Sequence, residues 1–181
     1  VDNENENQNK SIVKLGEKIK QRHSVNVFTI GIVGTAGCLT NMCQMTSMVY
    51  EKMIHNCVTR CDDLIEGLEY KQLHFVSGGA AWSDHLALEM FQHYPNSKLT
   101  LFLPCKLDLK RHKYEDNHHE DWRLNPGRLS NNLHREFSKK IRRDTLHEIT
   151  DLLVSNPTRD IRFDTESHGF YNRNTKIAQE C

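Results

Sequence analysis

The stretch "HFVSGGAAWSDHLALEM", residues 74–90, runs from an apolar segment through two glycines into a pattern with helical spacing. Its loop consists of four small residues, Gly78, Gly79, Ala80 and Ala81. Glycine lets backbone N–H groups approach an anion closely, and the N-terminal end of a helix carries partial positive charge. The pattern predicts a phosphate-binding loop. The alternative is a strand-to-helix turn that uses glycine only for a positive φ.

Two side chains just after this loop are candidates for ligand contact, Trp82 and Asp84. The indole of Trp82 either lines the pocket and stacks on a base, or packs on a neighbouring helix. Asp84 falls in the first turn of the predicted helix, where a carboxylate gains about 0.3–1 kcal/mol from the helix dipole. It is also placed to accept a hydrogen bond from a ribose hydroxyl, but it would repel a phosphate directly beside it.

Three apolar segments predict the strands that position the loop. Residues 25–34, 73–77 and 98–104 are almost continuously apolar, as in strands buried on both faces of a parallel sheet. Helical spacing follows the first two segments. The alternation predicts an α/β fold, a Rossmann-like three-layer sandwich with a mainly parallel sheet. Right-handed crossovers place the strand tips on one edge, where ligands bind in such sheets. The segments expected at that edge are residues 34–37, 77–84 and 104–108.

The predicted helices are amphipathic. Thr40 or Asn41 is expected to cap the first helix, whose apolar stripe is interpreted as core. This stripe begins with Met42, Met45, Val49 and Met53. Residues 128–154 are predicted to form one long helix with a solvated basic face, and residues 160–164 a short edge strand. The basic face carries Arg135, Lys139, Lys140, Arg142 and Arg143.

The polar segment 105–127 has three interpretations. Its histidines and carboxylates are of types that ligate metals, but adjacent histidines point apart on a helix or strand, so no metal is predicted. A solvated loop explains the composition equally well, and a lid over the strand tips is the third interpretation. The residues concerned are His112, His118, His119, Glu120 and Asp121.

Composition narrows the function classes. The 24 basic and 24 acidic residues cancel, which disfavours nucleic acid as a partner. No apolar run approaches the roughly 20 residues that span a bilayer. The polar start of the chain is unlike a signal peptide, and the six cysteines form no disulfide or zinc framework. We therefore expect a cytoplasmic protein with reduced cysteines, no membrane contact and no cofactor. Residues 1–24 are predicted to be a disordered tail and lead-in.

Four segments follow a family pattern in the family's order. "IGIVGTAG" is similar to the "IVGSR" segment of DprA, and "SGGAAWSDHLALEM" to the loops "SGGARGxDxxA" and "SGLARGIDxxAH". "LTLFLPCKLD" is similar to "TIAVLGCGLD" of DprA, and "GFYNRNTKIAQEC" to "RNRxIA" and to "MHxRKxxM" of LOG enzymes. These segments, roughly residues 27–108 and 168–181, resemble the SLOG superfamily of Rossmann-like nucleotide-binding proteins. That group includes the DprA/Smf proteins and the LOG phosphoribohydrolases.

The resemblance implies a set of site residues. Arg173 falls where LOG enzymes use an arginine near the ribose phosphate, which makes it the candidate catalytic residue, and a guanidinium binds phosphate bidentately. The alternative is a surface arginine on the last helix. Ala81 and Trp82 stand where the family has arginine and glycine, so the loop lacks one cation and one flexible position. The implied ligand-binding residues are Gly34, Thr35, Gly78, Gly79, Ala80, Trp82, Asp84 and Arg173.

The family continues beyond "RNxxIA" into another strand and a second glycine-rich loop. In LOG enzymes this loop reads "PGGxGTxxE" and supplies the catalytic glutamate, and the motif occurs nowhere in residues 1–181. We therefore expect residues 25–181 to be a nucleotide-binding domain that is incomplete at its C-terminus. Either further sequence after Cys181 or a second copy in a homo-oligomer would cover the exposed sheet edge.

Three functions compete. The leading prediction is a sensor or binding module for a nucleotide or nucleotide-derived phosphorylated ligand. The alternative is a LOG-like phosphoribohydrolase that cleaves the N-glycosidic bond of a nucleoside monophosphate, using Arg173 and a glutamate from outside this chain. A DprA-like single-strand binder is disfavoured by the zero net charge and by the absence of stacking aromatics around the loop.

Overall fold

A computed structural model describes residues 26–37, 44–67, 72–155, 160–166 and 169–181. The strands are β1 (Val27–Ile32), β2 (Gln72–Ser77), β3 (Lys98–Phe102), β4 (Leu107–Asp108), β5 (Lys113–Tyr114) and β6 (Ile161–Asp164). The helices are α1 (Ser47–Gly67), α2 (Leu86–His93), α3 (Pro126–Ile141), α4 (Thr145–Ser155) and α5 (Phe170–Glu180). Among these helices, none combines the length and the apolar composition that crossing a bilayer requires.

Four parallel strands form the main sheet, in the order β1-β2-β3-β6. Val27 pairs with Gln72, and Leu99 pairs with Ile161, so β6 is an edge strand as predicted. The α/β fold class and the parallel sheet are confirmed. The continuous apolar runs predicted them because β2 and β3 are covered on both faces.

Helices cover both faces of this sheet. On one face, Phe75 and Leu101 belong to a buried cluster with Met90 of α2 and Ile149 of α4. On the other face, Ile177 of α5 packs with side chains of β2 and β3, Val76 and Phe102. The arrangement is a three-layer sandwich. Because α5 lies on the second face, its N-terminal residues reach the carboxyl edge of the sheet.

The first helix begins later than predicted. The expected caps Thr40 and Asn41, together with Met42, lie outside the described residues. Helix α1 begins at Ser47, where the Thr46 hydroxyl accepts a hydrogen bond from the Val49 amide at 3.2 Å. A side-chain oxygen of this kind satisfies an amide that has no partner within the helix. Thr46 is therefore the cap.

The prediction of one helix over residues 128–154 is wrong. Helix α3 ends at Ile141, and Arg142 has a φ of 57°, the left-handed conformation that ends many helices. Helix α4 then begins at Thr145, and the Asp144 carboxylate accepts the His147 amide at 3.1 Å. The chain changes direction at residues 142–144. The basic residues of 135–143 therefore do not lie on one continuous helix face.

The segment 105–127 is built by its own polar side chains. Strands β4 and β5 form an antiparallel hairpin, and the loop after it ends where Asn125 caps α3. The side-chain amide of Asn125 donates to the Asp116 carboxylate at 2.6 Å and to the His119 backbone carbonyl at 3.0 Å. His112 is bonded to the Thr150 hydroxyl. Asp116 and His119 thus take part in hydrogen bonds within the loop, whereas His112 contacts α4.

Candidate functional site

Two buried side chains hold the glycine loop after β2 in place. The Gly79 carbonyl accepts hydrogen bonds from the Tyr114 hydroxyl and from His134 Nε2, each at 3.0 Å. Gly79 has a φ of +63°, and a Cβ there would lie 2.6 Å from Leu103 Cδ2. Only glycine suits both constraints. The hairpin and α3 thus fix the position of the loop.

Helix α2 does not follow the glycines directly, which corrects the predicted geometry. Residues 81–85 form a turn, and the helix begins at Leu86. His85 precedes it without a side-chain cap bond. The turn therefore separates the amides of Gly78 and Gly79 from the N-terminus of α2. The turn also directs the Asp84 side chain back towards the loop.

The Asp84 carboxylate faces the backbone amides of two strand tips. Asp84 is 1% exposed, and its Oδ1 accepts a hydrogen bond from the Gly34 amide at 3.2 Å. Burial raises the pKa of Asp84, whereas Arg173 and the amides of Gly34, Ala80 and Gly78 act to lower it. Asp84 Oδ2 is buried without a hydrogen bond. The protein's own carboxylate thus occupies the position that the sequence predicted for a bound phosphate.

Arg173 brings the third strand tip into the site. The Gly169 amide donates to the Pro104 carbonyl at 2.9 Å, which ties the start of α5 to the segment after β3. Arg173 lies one turn further along and is 8% exposed. Its Nη2 lies 3.7 Å from Asp84 Oδ2. A Cβ on Gly78 would lie 2.6 Å from Arg173 Cζ, so glycine at this position lets the guanidinium approach the backbone.

The remaining contacts of the guanidinium are with neutral groups. Nη1 donates to the Gly78 carbonyl at 3.5 Å, and Nε and Nη2 donate to Asn174 Oδ1 at 3.1 and 2.9 Å. Arg173 Cζ lies 5.4 Å from the centre of the Phe170 ring. The carboxylate of Asp84 is near the cation but beyond hydrogen-bond distance. Arg173 is therefore a largely buried cation whose hydrogen bonds are to uncharged oxygens.

The loop after β1 completes the edge. Gly34 and Thr35 are exposed, and the Thr35 carbonyl accepts the Ser83 amide at 3.3 Å. A Cβ on Gly34 would lie 2.7 Å from the Ser83 side chain. Ala80 is half-buried at the margin. The structure therefore brings together the segments after β1, β2 and β3, as the topology predicted.

Trp82 lies in the core rather than at the edge. It is 2% exposed, and its ring centre lies 4.5 Å from that of Phe137 and 6.2 Å from that of Tyr50. A Cβ on Gly37 would lie 2.7 Å from the indole nitrogen. Of the two interpretations of Trp82, packing on neighbouring helices describes its position. Its faces are covered by protein, so it offers none to a ligand.

A different tryptophan lies beside the site, and the sequence analysis missed it. Trp122, in the loop before α3, is 52% exposed, and its ring centre lies 6.3 Å from that of Phe170. Phe170 in turn contacts Arg173. The argument from absent stacking aromatics considered only the surroundings of the glycine loop, whereas Trp122 lies beside Phe170. The sequence offered one signal for Trp122, which was the interpretation of segment 105–127 as a lid over the strand tips.

One group of side chains in the described part of the chain has metal-ligand geometry. Ligand atoms of His85, Glu89 and Glu148 lie within 4.8 Å of one another. Arg143 already supplies a cation there, with Nη1 2.8 Å from Glu89 Oε1 and Nε 2.6 Å from Glu148 Oε1. Burial acts to raise the pKa of Glu148, but hydrogen bonds from His85 and Arg143 outweigh it and lower the pKa. We interpret the group as a partly buried ion-pair network that joins α2 to α4.

Comparison with known proteins gives one distant relative. No family model matches the chain, and no solved structure matches it. The chain is similar to the uncharacterized protein R261 of Acanthamoeba polyphaga mimivirus, with 34% identity over 105 residues. The match covers 58% of this chain and 51% of the viral protein, so it spans about half the length of that relative. The resemblance to the SLOG superfamily stays a prediction.

Proposed function

We propose that this protein is a binding module for a nucleotide or nucleotide-derived phosphorylated ligand at the carboxyl edge of its parallel sheet. Arg173 is the residue that contacts the phosphate. The observation that carries the proposal is the placement of this largely buried guanidinium where three strand tips meet. An arginine is rarely buried unless it is paired, because its charge stays at every physiological pH.

The hydrogen bonding of Arg173 supports a role beyond packing. Its nitrogens donate to the neutral oxygens of Asn174 and Gly78, and the nearest carboxylate is 3.7 Å away. A phosphate oxygen would replace these neutral partners with a charge-assisted bond, which is stronger. The chain therefore holds the Arg173 cation in place at the edge of the sheet. Asp84 compensates the positive charge of this cation only in part.

The role of Asp84 in this proposal is to position the loop. Its carboxylate is held by the Gly34 amide and lies beside Arg173. A phosphate placed on the amides of Gly78 and Ala80 would have to displace this carboxylate or lie against it. We therefore place the phosphate on the outer side of Arg173, towards Phe170 at the start of α5. We do not propose a contact between Asp84 and the ribose of the ligand, because Asp84 is 1% exposed.

Binding of AMP, measured by isothermal titration calorimetry, tests the proposal. Arg173→Gln should weaken AMP binding by about 10–150-fold, since a hydrogen bond to a charged group contributes about 1.5–3 kcal/mol. The matched control is Arg162→Gln. Arg162 also lies over an aromatic ring, at 5.4 Å from Phe102, and pairs with Glu180 at 2.7 Å at the far end of α5. Equal losses in both variants would contradict the assignment of Arg173.

Folding of the variants needs a separate check, because Arg173→Gln leaves Asp84 without its nearby cation. The double variant Asp84→Asn with Arg173→Gln removes both charges together. Circular dichroism should show a folded protein that still fails to bind AMP. If the double variant binds AMP with the affinity of the parent, Arg173 is not the phosphate contact.

The phosphoribohydrolase alternative is decided in the same experiment. Free adenine released from AMP in an Arg173-dependent manner would show an enzyme rather than a binding module. Two carboxylates near this edge are engaged by α5: Asp84 lies beside Arg173, and Asp164 pairs with Lys176 at 2.7 Å. N-glycosidic hydrolysis requires a carboxylate that assists the attacking water or stabilises the transition state. We therefore expect no release of adenine.

A further inference from the structure

An exposed aromatic surface lies next to Arg173. Trp122 is 52% exposed and lies beside Phe170, the first residue of α5. Phe170 contacts the Arg173 guanidinium through its ring. The surface made by Trp122 and Phe170 is called the aromatic platform below. It belongs to two different elements, the loop before α3 and the start of α5, which meet at this edge.

Backbone and side-chain hydrogen bonds hold the loop that carries Trp122. The Trp122 carbonyl accepts the Asn125 amide at 3.3 Å, and the Leu124 amide donates to the Asp121 carbonyl at 3.0 Å. The Asn117 side chain donates to the Leu124 carbonyl at 2.6 Å. The Trp122 side chain on this loop is 52% exposed, and burial of apolar surface contributes about 25 cal/mol for each Å². A ligand that covers the ring would gain this free energy.

We propose that the aromatic platform stacks on the base of the ligand whose phosphate contacts Arg173, so that the ligand class is nucleoside phosphates and not sugar phosphates. This inference rests on the proposed function. A nucleotide has an anionic end and a flat aromatic end. This site offers a guanidinium beside the half-buried ring of Phe170 and the exposed ring of Trp122, over which Arg123 also lies at 5.4 Å. Bases of any sequence stack on aromatic side chains because every base has a π face.

The charges around the platform favour a single nucleotide over a nucleic-acid strand. Arg123 lies 3.9 Å from Asp121, and Arg128 lies 3.3 Å from Asp116. These two basic side chains, one in the loop and one in the first turn of α3, are thus each accompanied by a carboxylate of the loop. A strand binder needs a groove of unpaired cations that follows the phosphate backbone.

The test compares AMP with ribose 5-phosphate, using calorimetry on the full chain and three variants. Trp122→Ala should weaken AMP binding between about fivefold and about 150-fold, the range for loss of one base–aromatic stack. Binding of ribose 5-phosphate should change less than about twofold, since the sugar phosphate does not reach the platform. Leu124→Ala is the matched control, because it shortens another exposed apolar residue of the same loop, 57% exposed. Trp122→Phe should retain most of the AMP affinity.

Intrinsic fluorescence gives an independent measurement, because the chain has two tryptophans and one of them, Trp82, is buried. AMP should quench the emission of the parent protein, and the quenching should disappear in Trp122→Phe. Ribose 5-phosphate should cause little quenching in either protein.

Each outcome is decisive for one of the two proposals. If AMP and ribose 5-phosphate bind the parent equally and Trp122→Ala changes neither, the platform is refuted while the proposed function stands. If Trp122→Ala weakens both ligands equally, the residue supports the loop and the stacking role is wrong. If neither ligand binds the parent, the proposed function fails and the platform with it. A decathymidine that binds more than about 100-fold tighter than AMP at physiological salt would replace the ligand class with single-stranded nucleic acid.

Discussion

Acidification is expected to weaken the fold through His134, which connects α3 to the glycine loop. Its ring is fully buried, with Nε2 3.0 Å from the Gly79 carbonyl and Nδ1 2.9 Å from the Thr145 hydroxyl. A carbonyl only accepts, so Nε2 carries the proton and Nδ1 accepts from Thr145. Burial, and next the nearby ring of His85, lower the pKa of His134 to about 3. The native state therefore holds this imidazole neutral.

The size of the effect follows from proton linkage. In the unfolded chain a histidine binds a proton below its ordinary pKa of about 6.5. Between that pH and the native pKa of about 3, the unfolded state binds more protons than the native state, so stability falls as the pH falls. Between about pH 7.5 and about pH 5, the loss assigned to His134 is about 2 kcal/mol. The free energy of unfolding of a protein domain is about 5–15 kcal/mol, so this loss is a large fraction of it.

Urea unfolding at a series of pH values, in the parent and in His134→Gln, measures this contribution. A glutamine amide is able to donate to Gly79 and to accept from Thr145, but it does not titrate in this range. We expect the variant to be less stable than the parent near neutral pH and to lose about 2 kcal/mol less between about pH 7.5 and about pH 5. If the two proteins show parallel pH dependence, His134 is not held neutral and the linkage argument is wrong.

Three further substitutions test the local geometry by urea unfolding. Gly79→Ala should destabilise the fold by at least about 1–2 kcal/mol, because an L-residue at φ +63° is strained and its Cβ would meet Leu103; an unchanged midpoint would contradict the left-handed turn. Arg142→Gly should leave the fold equally stable or stabilise it by up to about 1 kcal/mol, because glycine adopts the left-handed conformation without strain. The control Lys140→Gly, within α3, should destabilise the fold by about 1 kcal/mol. Equal effects of these two would show that Arg142 is helical. Phe137→Ala should cost about 3–5 kcal/mol, because the ring is 0% exposed; a loss below about 1 kcal/mol would mean that its cluster repacks without a cavity.

The sheet was predictable from the sequence because burial on both faces leaves continuous apolar runs. Strand β2 is the predicted segment 73–77 with Gln72 added at its start, and the predicted segment 98–104 contains β3. The helix ends were harder to predict, because single polar side chains decide them. Asp144 begins α4 with one hydrogen bond, yet apolar spacing continues across the break and hides it.

The site was predictable in its location but not in its internal geometry. The strand order places the segments after β1, β2 and β3 at one edge, and the family resemblance directed attention to Arg173. The direction of Asp84 depends on the turn at residues 81–85, which no local pattern indicated. Contact between Trp122 and Phe170 joins positions 48 residues apart in the chain, and the segment around Trp122 has no apolar periodicity. Such contacts are set by tertiary packing.

The orientation of Asp84 connects the two proposals. Because its carboxylate faces the amides of Gly34 and Gly78, a ligand anion is excluded from that side by charge repulsion. The side of Arg173 that remains for an anion is the one formed with the start of α5, where Phe170 touches the guanidinium. A ligand held there by its phosphate lies next to the ring of Phe170 and, one contact further, to Trp122. Phosphate binding by Arg173 and base stacking on the platform therefore require the same placement of the ligand, and a shift of the phosphate onto the loop amides would remove the basis for both.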